Sequence, residues 1–161
     1  MAYQHKINWS DPSKGSDASS FTIDLFKSAV LDFHVQIEGE LEDIINLHFR
    51  DPAAFKINGF SRKVALVRAL IGKTPDDEIW SIVNKLAEFR NKFAHGTPGP
   101  EVHQNYADEI LEQLRKIWPT ISLASVPDEE KNLRVVIQAH FAVRRFFREI
   151  KEGLAQPQSH A

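Results

Sequence analysis

Residues 76–96 read DDEIWSIVNKLAEFRNKFAHG. Within them Ile79, Ile82, Leu86, Phe89 and Phe93 fall at alternating spacings of three and four, the pattern of a helix that buries one face. Thr74-Pro75-Asp76-Asp77 just upstream is a start signal: a threonine cap, a proline at the first helical position and acids against the positive end of the helix dipole. The helix is expected to run to His95 and to stop at the break Gly96-Thr97-Pro98-Gly99-Pro100. Its last residues are polar. A helix turns by about 100° per residue, so Asn91 and His95 share one side while Arg90 and His95 diverge by roughly 140°. Arg90 and His95 could meet only if the last turn unwinds at Ala94-His95-Gly96, or if a second copy of the helix approaches across a two-fold axis.

The same periodicity recurs on both sides. Phe26, Val30, Phe33, Ile37, Leu41, Ile44 and His48 predict a long first helix from about Ser20 to the stop at Asp51-Pro52. After an apolar connector through Gly59-Phe60, Ser61 can cap a helix that buries Val64, Val67, Leu70 and Ile71 and ends at Gly72. A fourth helix carries Tyr106, Ile110, Leu114 and Ile117 inward and ends at Trp118-Pro119. The last presents Val136, His140, Val143, Phe147, Ile150 and Leu154, with Leu133, Ile137 and Phe141 widening the stripe. No segment alternates with the period of a strand. The expectation is an all-α, up-and-down bundle of about five helices spanning 18–155, with polar tails at 1–17 and 156–161 and with Trp9 free to dock on the domain.

Composition narrows the function. The 161 residues suffice for one domain with a core. The chain has no cysteine, which removes disulfides, thiolate nucleophiles and cysteine-type zinc sites and suits a cytoplasmic protein. Neither a signal peptide nor a run of about 18 apolar residues is present, so no membrane partner is expected. Twenty basic and 22 acidic residues leave a formal charge of −2, so contact with nucleic acid would need a local patch.

Several motifs have ordinary explanations. Gly72-Lys73-Thr74 resembles the end of a phosphate loop, but the earlier glycine that loop needs would fall at Val67. His34, Glu38 and Glu42 share a helix face, yet no glutamate is followed three residues later by histidine, the pair that carboxylate-bridged metal sites use; a salt-bridged face is expected, with no metal and no cofactor. Arg144, Arg148 and Lys151 line one side of the last helix beside Arg145 and could track an RNA backbone, but Glu149 and Glu152 are interleaved as on a solvated face. His140 in an apolar stripe reads as a core histidine.

Arg90, Asn91 and His95 admit two readings. In the first, Arg90 pairs with a carboxylate of a neighbouring helix and His95 is stabilised by the helix C-terminus. In the second they cleave a phosphodiester, with a ribose 2′-hydroxyl attacking the adjacent phosphate. His95 would move protons near neutral pH, Arg90 would hold phosphate oxygens in its planar fork, and Asn91 would bind a phosphate oxygen or orient His95. One histidine serves poorly as both acid and base, and a dimer would supply two.

Arg90-Asn91-Lys92-Phe93-Ala94-His95 resembles the Arg-polar-x3-His signature of the HEPN superfamily. The preceding Gly59-Phe60-Ser61-Arg62-Lys63 through Leu70-Ile71-Gly72 looks like the helix and turn before this signature in the mannitol-operon-repressor-like branch. The similarity covers about residues 20–120. It implies an all-α bundle that dimerises, and metal-independent endoribonuclease activity of the kind found in bacterial toxin and defence systems. Arg90 and His95 would be the catalytic pair, and an antitoxin or regulatory protein a further partner. Thr97 stands where toxins regulated by a nucleotidyltransferase carry tyrosine, so that mode of control is not implied. The repressor-like branch implies the alternative, a non-catalytic regulatory module acting through a protein partner.

Overall fold

The computed structural model describes residues 18–51, 57–72, 77–96 and 98–155. They form five α-helices: α1 (Ala18–His48), α2 (Phe60–Ile71), α3 (Asp77–Ala94), α4 (Pro100–Ile117) and α5 (Asp128–Ala155). No strand occurs among the described residues. The all-α bundle expected from the periodicity is therefore the fold. The two tails, Trp9, the Thr74-Pro75 start signal and Thr97 lie outside the described residues.

The first and last helices make the frame. At 31 and 28 residues, α1 and α5 are roughly 46 and 42 Å long. They pack along one another, α3 and α4 complete the bundle against them, and α2 lies on α1. Ile37, Leu41 and Ile44 from α1 meet Val136, Val143 and Phe147 from α5 in one core. Trp80 of α3 enters it against Phe146 and Phe147, with ring centroids 5.6 and 5.7 Å away.

Local chemistry fixes the joints. α2 begins at Phe60 rather than behind Ser61, because Gly59 precedes it with φ 95° and no side-chain cap. That backbone conformation strains any residue with a Cβ, so glycine outweighs the serine signal. Gly72, with φ 75°, ends the same helix. Phe141 departs from expectation: it is 61% exposed. It stands about 140° around α5 from Val136. The buried arc widens the other way, through Val135, Ala142 and Phe146, because α3 and α4 also pack on α5.

The face holding His34, Glu38 and Glu42 is salt-bridged. Lys63 of α2, itself buried, reaches Glu38 at 2.6 Å and Glu42 at 2.5 Å. Burial alone would lower the Lys63 pKa, but the hydrogen bonds to the two glutamates outweigh it and raise it. No group of three or more potential metal ligands occurs among the described residues. No described helix is long and apolar enough to cross a membrane.

Three histidines are buried among aromatic rings. His34 lies against Phe60 at 4.4 Å, His103 against Phe26 at 5.0 Å, and His140 is stacked on Phe33 at 3.9 Å. Each keeps one buried ring nitrogen without a hydrogen-bond partner. Burial is the chief cause that holds all three below the ordinary value near 6.5; for His140 the Arg144 charge adds to it, Glu40 opposes it, and the pKa falls to about 4.

Two stability predictions follow from this packing. Unfolding frees the histidines to take up protons, so the stabilisation is whole above pH 6.5 and is lost as pH falls towards 4. Melting followed by circular dichroism should give a falling Tm from pH 7 to about 5, and His140→Leu should flatten that fall. Phe147, with no exposed surface, should cost about 3–5 kcal/mol when replaced by alanine, read from chemical denaturation.

Candidate functional site

The end of α3 is held by its apolar residues. Phe89 and Phe93 are buried, with ring centroids 5.0 Å apart, and Phe89 stacks on Tyr106 of α4 at 4.4 Å. Phe26 of α1 meets both, edge-on, at 5.2 and 6.2 Å. Helices α1, α3 and α4 are thus joined where α3 ends. The polar residues beside these rings inherit fixed positions.

The last turn of α3 stays wound. The His95 N–H is shared between the carbonyls of Asn91 and Lys92, both at 3.3 Å, so the turn tightens without opening. The unwound alternative is not the conformation adopted. The chain then reverses through Gly96, and Gly99 caps α4, its carbonyl accepting from the N–H groups of Val102 and His103.

Asn91, Lys92, His95, Gly96, Pro98 and Val102 border an open hollow of about 430 Å³. The His95 side chain is exposed there. Arg90 is not among the residues bordering the hollow. It lies on the side of α3 towards α1, near enough to buried His34 that its charge adds to the desolvation depressing that histidine's pKa. Within one chain, then, Asn91 and His95 share a side and Arg90 does not join them, as the helix geometry dictates.

Arg90 itself is unusual among the arginines. It is half-buried, whereas every other described arginine is exposed. Its guanidinium donates from Nη1 to Asn91 Oδ1 at 3.2 Å, and no carboxylate pairs with it among the described residues. The neighbouring-helix ion pair that would give it an ordinary structural role does not occur among the described residues. A guanidinium with no carboxylate partner among the described residues is disposed to take an anion.

Lys92 is the site residue that the spacing did not bring forward. It borders the hollow with His95, and its ammonium lies 5.8 Å from the Tyr106 ring centroid. The available signal was its position one turn before His95, on the same side of α3.

The α5 stripe is largely paired. Lys151 is tied to α1 through Glu40 at 2.5 Å and Asp43 at 3.1 Å; chiefly the hydrogen bond to Glu40 raises its pKa. As an RNA contact Lys151 is thereby engaged elsewhere. Arg144 approaches Glu40 at 3.5 Å and Arg148 approaches Glu152 at 3.8 Å, both at ion-pair range without a hydrogen bond. His140 is the core histidine its stripe predicted.

Comparison of the chain with protein-family models, with curated proteins and with solved structures gives no match.

Proposed function

We propose that this chain is a HEPN-type, metal-independent endoribonuclease acting as a homodimer. The observation that carries the proposal is Arg90: half-buried and, among the described residues, unpaired by any carboxylate and hydrogen-bonded only to Asn91. The exposure of His95 beside a hollow at the same helix end supports it.

In this reading one His95, neutral, removes the proton of a ribose 2′-hydroxyl. The 2′-oxygen forms a bond to phosphorus, the bond from phosphorus to the 5′-oxygen breaks, and the His95 of the second copy, protonated, gives its proton to that leaving oxygen. Products are a 2′,3′-cyclic phosphate and a 5′-hydroxyl. Arg90 meets the charge that builds on the phosphate oxygens, and Asn91 holds the guanidinium. Because Arg90 and His95 face different sides of one α3, Arg90 of one copy works with His95 of the other. A protein that covers the cleft would act as antitoxin, and the setting would be cytoplasmic toxin or defence activity.

A second reading has one observation in its favour: Arg90 does not border the hollow that His95 borders. In it the chain is a regulatory module of the mannitol-operon-repressor-like kind, and the hollow receives a protein partner.

Incubation of the purified protein with a mixed RNA pool in EDTA separates the two. Cleavage is expected, with Arg90→Ala and His95→Ala each slowing it by at least about a hundredfold while melting and sedimentation stay as in the parent. If the parent protein leaves all RNA intact, or if His95→Ala dissociates a dimer without any activity to lose, the regulatory reading replaces the enzymatic one.

A further inference from the structure

At the far end of α4 from His95, a groove of about 490 Å³ lies between Trp118 and the outer face of α5. Its floor and walls include Phe141, Arg144, Arg145, Arg148 and Glu40. The axial distance along α4 from Val102 to Trp118 is roughly 24 Å, so the groove is separate from the hollow at His95. Trp118 and Arg145 also border an adjoining hollow of about 190 Å³, which carries the groove past the end of α4.

Two features of this groove are at odds with an inert surface. Phe141 is a large apolar ring left 61% exposed at the head of a cationic run that continues through Arg144, Arg145 and Arg148. The three arginines also make their closest carboxylate contacts through Nε: Arg144 to Glu40 at 3.5 Å, Arg145 to Glu149 at 2.9 Å and Arg148 to Glu152 at 3.8 Å. Their terminal nitrogens are left available for an anion. Glu40, the one carboxylate in the lining, is already met by Lys151 and Arg144.

We propose that this groove holds a single-stranded RNA segment, with a base stacked on Phe141 beside Trp118 and its phosphates on the terminal nitrogens of Arg144 and Arg148. An aromatic platform bordered by guanidinium groups suits an unpaired strand, whose bases offer flat faces between regularly placed charges. A duplex hides those faces, and an acidic peptide has the charge without the rings. The choice of RNA over DNA rests on the ribonuclease reading; the groove would serve that activity as a holding site remote from the cleavage chemistry. On a chain of net charge −2, such a patch supplies the local attraction that the chain as a whole lacks.

The test uses the full chain and a fluorescein-labelled 2′-O-methyl RNA of about twelve nucleotides, long enough for one groove and lacking the 2′-hydroxyl needed for cleavage. Fluorescence anisotropy should show binding that weakens with salt. Phe141→Ala should weaken it by roughly tenfold. Arg144→Gln and Arg148→Gln should each reduce the slope of log affinity against log salt by about 0.7. Arg115→Gln, an exposed α4 arginine outside the groove, should change neither quantity. Phe141, Arg144 and Arg148 are all exposed, so melting curves should match the parent. Failure of the parent to bind, equal binding of the duplex, displacement by poly-glutamate at equal charge, or an unchanged affinity in Phe141→Ala would each overturn the proposal. Binding without RNA cleavage in the parallel assay keeps the groove and removes the nuclease; cleavage with no groove binding does the reverse.

Discussion

The ring of Phe89 has no exposed surface, and Phe26, Phe93, His103 and Tyr106 all lie within 5.6 Å of it, centroid to centroid. Those contacts bind α1, α3 and α4 at the single place where α3 stops. Everything polar at that end is placed by them: Arg90 follows Phe89 directly, and His95 comes two residues after Phe93. Edge-on and stacked aromatic contacts have preferred geometries, so the cluster sets rotation about α3 as well as its depth. That rotation sends Arg90 towards α1 and His95 towards the loop before α4.

The price of such a core is visible in its histidines. Three imidazoles lie against phenyl rings, each with a ring nitrogen that no described residue satisfies. Neutral, they pack nearly as aromatic residues would. Protonated, each would place a charge where, among the described residues, only Glu38 for His34 and Glu40 for His140 oppose it, and in both cases an arginine acts against the carboxylate. The site and the core therefore share electrostatics, since Arg90 is the arginine that faces His34.

Much of this was legible in the sequence because helical burial is periodic. Ile79, Ile82, Leu86, Phe89 and Phe93 are all buried, and so are Ile37, Leu41, Val136, Val143 and Phe147. The divergence of Arg90 from His95 followed from angle alone. What escaped was tertiary. Phe141 fits an apolar stripe by spacing, yet which side of α5 the stripe widens towards depends on where α3 and α4 dock. Ser61 carries a capping side chain, yet the backbone turns at Gly59. Lys92 could not be given a place at the hollow until the loop through Pro98 returned to α3. That no described carboxylate pairs with Arg90 is likewise a fact about neighbours rather than spacing.

Glu40 and Asp43 on α1 receive Lys151 of α5, and 108 residues separate Asp43 from Lys151 in the chain. The two longest helices are also each other's main partners, one opening the described fold and the other closing it. As the chain leaves the ribosome, the α1 stripe of Ile37, Leu41 and Ile44 must wait for nearly the whole domain before its cover arrives. Helices α2 and α3 can dock on α1 earlier, but the side of α1 that meets α5 stays uncovered until the last helix has been made.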